Sequence, residues 1–183
     1  MIQYTEYSAE RLADRAVIRD ILYLMCRSVD RRDWDTWCSL YHPDCSFDNG
    51  VNKGNLETTL KFQVRRHATI SRSYHQIPNI LIEFTGRDSA LVESYTFVVQ
   101  RHMADAITGD PRPGQPEFDR WSMTRFINQF ERRDSTWRIL RHTTITEHSL
   151  TRQVPSDEPH DGRAISRRDR DDPIWLMRAQ FGL

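Results

Sequence analysis

Apolar residues recur at helical spacing over residues 8–31, where Ile18, Leu22, Met25 and Val29 form one row and Ile21 and Leu24 widen it. Ser8 stands where the N-cap of that helix is expected. Tyr23, Cys26 and Asp30 follow at i, i+3 and i+7, so they share one face beside the apolar stripe. Asp33 reads as the cap of a short second helix, Trp34 to Tyr41, closed by His42-Pro43. Cys45 to Asp48 reads as a short strand turning at Asn49-Gly50, and a third helix is expected from Leu56 to about Ala68.

The pattern then changes to strands: Tyr74–Phe84, Ala90–His102, Phe118–Arg132 and Thr136–Leu150. Gly86-Arg87-Asp88 and Arg133-Asp134-Ser135 are tight links, whereas Asp105 to Gln115 carries Gly and Pro residues and reads as a longer, flexible connection over the pocket mouth. Helices followed by long antiparallel strands predict an α+β fold, with three N-terminal helices packed on one face of a curved sheet. A curled sheet closed by helices makes a cone with a pocket inside. The expected division is a pocket domain over 1–150 and a C-terminal arm over 151–183. The arm's mixed charges suggest solvation, while Ile174-Trp175-Leu176-Met177 and Phe181 suggest docking on a neighbouring subunit, hence a dimer or trimer.

Composition narrows the partners. Lys+Arg and Asp+Glu both number 26, and that balance steers the chain toward neither nucleic acid nor an anionic membrane. A small hydrophobic ligand is the better expectation. Cys26, Cys38 and Cys45 make no CxxC pair, and the N-terminus lacks a signal-peptide pattern, so a reducing cytoplasmic setting is expected. No HExxH, GxGxxG, P-loop or GxSxG motif is present, and Cys38, His42 and Cys45 lack a further close pair to complete a zinc site.

Two residues stand out as chemistry. Asp30 sits near a helix C-terminus, where the helix dipole opposes its charge by about 0.3–1 kcal/mol, and it borders the apolar stripe. Pattern alone reads it as a solvated carboxylate paired with Arg27, Arg31 or Arg32, or as a functional acid. His75 shares one strand face with Ile77, Asn79 and Leu81, and reads as a hydrogen-bonded structural residue or as a proton carrier whose tautomer a carboxylate fixes. On the last strand, His142 and His148 share parity with Arg138, Leu140, Thr144 and Thr146. Ser94, Thr96 and Val98, and Ser122, Thr124 and Phe126, form further equal-parity sets for the pocket wall, and a one-residue slip would exchange every one of them.

Arg15-Ala16-Val17-Ile18-Arg19-Asp20 and Ser28-Val29-Asp30-Arg31-Arg32-Asp33-Trp34 together resemble the first two helices of SnoaL-like (NTF2-like) proteins. The run from Phe130 through Trp137 to Ile139 is similar to the hairpin between their last two strands. The resemblance covers residues 8–150 and is nearest the branch holding scytalone dehydratase, bile-acid dehydratase and hexachlorocyclohexane dehydrochlorinase. It implies a cofactor-free enzyme in which His75 removes a proton from carbon and Asp30 orients it. Met25 stands where that branch often has a Tyr or Lys, and His142 where the dehydrochlorinase has an Arg, so halide handling is not implied. Dehydration or isomerisation of an oxygenated ring compound is, with His142, Tyr23 or Tyr95 polarising the oxygen and Met25, Phe126 and Thr144 lining the pocket. The alternative is a non-catalytic ligand binder, or a subunit like the β subunit of aromatic-ring dioxygenases, which shares the fold.

Overall fold

Helix α1 (Ala9–Arg31) opens the fold, and its start is capped by Ser8, whose hydroxyl accepts from the Arg11 amide at 3.3 Å. It ends at Arg32, which adopts a left-handed conformation (φ 55°) so that its amide and that of Asp33 return to the carbonyls of the last turn. The Arg32 side chain secures that turn by donating to the Ile70 carbonyl at 2.8 Å. The computed structural model describes residues 7–104, 116–154 and 165–183. The predicted connection Asp105–Gln115 therefore lies outside the described residues.

Next come α2 (Trp34–Ser39), β1 (Tyr41–Asp48), β2 (Lys53–Asn55), α3 (Leu56–Ala68), β3 (Ile70–Gln76), β4 (Ile80–Phe84), β5 (Ser89–His102), β6 (Phe118–Arg133), β7 (Thr136–Gln153) and α4 (Pro173–Gln180). The seven strands form one sheet in the order β2-β1-β7-β6-β5-β3, with β4 also paired to β5. All pairs are antiparallel except β1 with β7. This is the expected α+β architecture, a curved sheet with helices against one face. Ile18, Leu22 and Met25 of α1 bury their side chains there with Val92, Phe126, Phe130 and Ile139 of the sheet. Burying each such side chain contributes about 1.5–3 kcal/mol.

Two expectations about the elements need correction. The segment Tyr74–Phe84 is two strands, because Pro78 has no amide to continue the ladder. The break resets the alternation: Ile80 and Ile82 pair with inward-facing Ser94 and Val92, while Leu81, grouped with His75 by unbroken parity, is exposed. The second helix stops at Ser39, and the chain is already extended through His42-Pro43 as β1.

The C-terminal segment is not simply a solvated arm. Arg168 and Asp172 are buried. The Arg168 guanidinium donates to the carbonyls of Asp30 (2.9 Å), Ile70 (2.6 Å) and Val29 (2.9 Å), so it clamps the end of α1 to the start of β3. Asp172 caps α4 and pairs with Arg31 at 3.2 Å. Hydrogen bonds to charged groups contribute roughly 1.5–3 kcal/mol each before the cost of desolvating the cation. Replacing Arg168 with Met should therefore lower unfolding free energy by about 2 kcal/mol or more in urea titrations, and an unchanged midpoint would contradict the clamp.

Candidate active site

Inside the curl lies a cavity of about 420 Å³, walled by Met25, Cys26 and Val29 of α1, by Phe62 and Arg66 of α3, and by inward side chains of β3, β5, β6 and β7. His75 opens onto it from β3. Its Nδ1 lies 2.6 Å from Asp30 Oδ1, and its backbone amide donates to Asp30 Oδ2 at 3.0 Å. Ser73 adds a third bond, donating its hydroxyl to Asp30 Oδ1 at 2.6 Å. Asp30 is 8% exposed and is thus not a solvated partner of Arg27, Arg31 or Arg32. Burial pushes its carboxyl up, but His75, the Ser73 hydroxyl and the His75 amide outweigh that and hold it below the usual carboxylate range. In the neutral ring, an ionised Asp30 selects the tautomer with the proton on Nδ1, which leaves His75 Nε2 as the nitrogen with a lone pair.

The network continues across the sheet. Gln100 donates its amide to Ser73 Oγ at 3.1 Å, and its carbonyl oxygen accepts from Arg66 at 2.7 Å. Register explains the reach: Ser73 pairs with Gln100 and Gln100 with Arg120, while His75, Val98 and Ser122 form the next inward row.

Other sequence candidates divide sharply. Met25, Phe126, His142 and Thr144 line the cavity. Tyr23 and Tyr95 do not: they are 47% and 46% exposed. Tyr23 shares the face of Asp30 but lies seven residues earlier, about 10 Å along the axis from the Ser73 and His75 side chains that cover Asp30. Tyr95 alternates with the inward Ser94 and Thr96, so it points to the outer face. On β7, bulges at Leu140 and Glu147 shift the alternation, so Trp137, Ile139, His142, Thr144, Thr146 and Ser149 face inward and Arg138, Leu140 and His148 do not.

His142 is held rather than free. Its Nδ1 donates to Asn128 Oδ1 at 2.7 Å and its Nε2 accepts from the Thr144 hydroxyl at 3.0 Å, so no N–H remains to polarise a substrate oxygen. Burial pushes its pKa down to about 4. Burial likewise raises the thiols of Cys26 and Cys45, the latter to about 12, which leaves both unreactive. Among the described residues, no three His, Cys, Asp or Glu side chains gather as a metal site.

Residues 10–143 match the model of the SnoaL-like domain. The chain belongs to the SnoaL-like family. Among solved structures, a candidate scytalone dehydratase from Novosphingobium aromaticivorans is similar at 18% identity and a TM-score of 0.65, covering 84% of this chain and 97% of its own. A LinA-type hexachlorocyclohexane dehydrochlorinase from Novosphingobium barchaimii is similar at 18% identity and a TM-score of 0.66, covering 79% and 97%. No curated protein matches. At these identities the likeness is one of fold. Among the described residues, no helix is long and apolar enough to cross a membrane.

Ser73, Gln100, Arg66, Arg120 and Arg168 were not singled out by sequence. The inward sets flanking Val98 and Ser122 extend by two residues to Gln100 and Arg120, and Ser73 precedes His75 by two, so parity carried the signal for three of them. The neutral state of His142 has a thermodynamic consequence. Below about pH 6.5 the unfolded chain protonates this histidine while the folded protein resists until about 4, so stability is complete above that window and falls on acidification through it. Urea titrations of His142→Gln near pH 5 should show a pH slope shallower by about one proton, ~1.4 kcal/mol per pH unit. An identical slope would mean His142 titrates normally.

Proposed function

We propose that this SnoaL-like protein is a lyase or isomerase that needs no cofactor and acts by removing a proton from carbon of a small ring compound. The observation that carries this reading is the 2.6 Å contact of Asp30 with His75 Nδ1, which leaves Nε2 turned to the cavity. In the proposed step, the Nε2 lone pair takes a proton from carbon, and the C–H electron pair forms a double bond or an enolate. Asp30 stabilises the resulting imidazolium and fixes its orientation. The imidazolium then returns the proton, either to a departing hydroxyl that leaves as water or to a different carbon. A positioned base of this kind contributes roughly 10²–10⁴ in rate.

The hydrogen-bonding equipment favours oxygen chemistry. Thr124 lines the cavity, and its buried hydroxyl has no partner within the protein. We assign it, rather than His142, Tyr23 or Tyr95, to the substrate oxygen. Met25 contributes apolar packing only. That one relative is named a dehydrochlorinase supports elimination as the reaction kind.

Deuterium exchange at carbon tests the base without knowledge of the leaving group. In heavy water, the wild-type protein should accelerate exchange on a panel of cyclic ketones beginning with 2-tetralone, followed by proton NMR. His75→Ala should lower the accelerated rate at least ~100-fold. Asp30→Asn should lower it at least ~10-fold. Binding without accelerated exchange would favour a ligand carrier, and exchange unaffected by His75→Ala would remove the histidine from the role.

A further inference from the structure

Charge does not balance at one end of the cavity. Arg66 and Arg120 both line it. The polar partners of Arg66 are neutral: Gln100 Oε1 at 2.7 Å and His67 Nε2 at 3.0 Å. Arg120 carries a buried Nε with no hydrogen-bond partner. Among the described residues, neither guanidinium has a carboxylate within ion-pair reach. Two neighbouring acids are committed elsewhere, Asp30 to Ser73 and His75, and Asp119, next to Arg120 on β6, to Arg101 Nε and Nη2 at 2.7 and 2.8 Å. Behind them His67 is held neutral, its pKa driven down by burial and then by Arg66 and Arg168. His102, stacked on Phe118, is pushed down to about 3 by burial and then by Arg66 and Arg120. Arg66 itself is lowered only to about 10, so it is a cation at neutral pH. Burying a cation without a counter-charge is strongly unfavourable, and a bound anion would offset that cost.

We propose that the substrate carries a carboxylate that docks between Arg66 and Arg120 while its ring lies beside His75. This rests on the proton-abstraction reading and names its substrate class. The distances suit it. Arg120 lies two strands from Ser73 in the same cross-strand row, and His75 begins the next inward row, so their backbone positions differ by about 7 Å along the strands and about 10 Å across them. The long Arg120 side chain covers part of that separation, and one ring with its substituent bond is the size of ligand that covers the rest. The walls beside His75 are apolar, with Met25, Val98 and Phe126 to hold the ring. A pair of guanidinium forks offers parallel N–H donors to a planar carboxylate. The arrangement also keeps the substrate's charge away from the buried Asp30, which would repel it.

Calorimetric binding to the full chain, near neutral pH and at low salt, tests the proposal. The probes are cyclohexanecarboxylate, benzoate, trans-cinnamate and 2-naphthoate, each beside its own primary amide. At least one carboxylate should bind about tenfold or more tightly than its amide and weaken as salt rises. Arg66→Met and Arg120→Met should each weaken that binding about tenfold or more, while Arg133→Met, altering a surface arginine paired with Asp44, should not. Where either cavity variant fails to fold, the carboxylate–amide difference in the wild-type protein decides. Equal affinity for acid and amide, no detectable carboxylate binding, unchanged binding in both cavity variants, or inorganic phosphate binding as tightly as the best carboxylate would each overturn the proposal. The carboxylate–amide difference is read by binding alone and the base by exchange on the neutral ketones, so failure of the anion site and failure of the base are separately visible.

Discussion

A single buried carboxylate organises this molecule. Asp30 stands at the last turn of α1, where the helix dipole opposes its charge, and it is removed from water. It is tolerated because Ser73, the His75 amide and the His75 ring converge on its two oxygens. Those bonds join the end of the first helix to the edge strand β3, and Arg168 completes the joint by donating to the carbonyls on both sides of it. Removing the carboxylate therefore acts twice, on the attachment of β3 and on the tautomer of the histidine that β3 carries. Stability and chemistry are linked through the same atom pair.

The rest of the cavity divides around that joint. On the His75 side the walls are apolar and the polar side chains are neutral, with His142 fixed between Asn128 and Thr144. On the Gln100 side the walls are cationic. Gln100 lies at the boundary, donating to Ser73 and accepting from Arg66, so the same side chain supports the carboxylate network and orients the guanidinium. A low-dielectric cavity strengthens both halves, since charges there are poorly screened.

Much of this was legible in the sequence where local geometry is regular. The helical stripe of Ile18, Leu22 and Met25, and the alternation through Ser94, Thr96 and Val98, hold in the fold because no irregularity interrupts them. Parity failed wherever the backbone gained or lost a step. Pro78 broke the strand after His75, and bulges at Leu140 and Glu147 reset β7, so that Ser149 rather than His148 reaches the cavity. Angular position on a helix likewise carries no information about what packs there, which is why Tyr23 shares the face of Asp30 without the cover of Ser73 and His75 that buries it. Arg168 was illegible for a different reason. It lies in a run of charges that reads as solvated, and only the tertiary fold brings the open carbonyls of Val29, Asp30 and Ile70 to it.

The central claim is that an ionised Asp30 holds His75 with its proton on Nδ1 and a lone pair on Nε2. Nitrogen NMR of the protein with isotopically labelled histidine, assigned through His75→Gln, reads that tautomer directly near neutral pH. The account predicts a protonated Nδ1 with its proton shifted far downfield by the short bond to Asp30, and an unprotonated Nε2, both lost in Asp30→Asn. A His75 protonated on Nε2 alone, or a spectrum unchanged in Asp30→Asn, would contradict it.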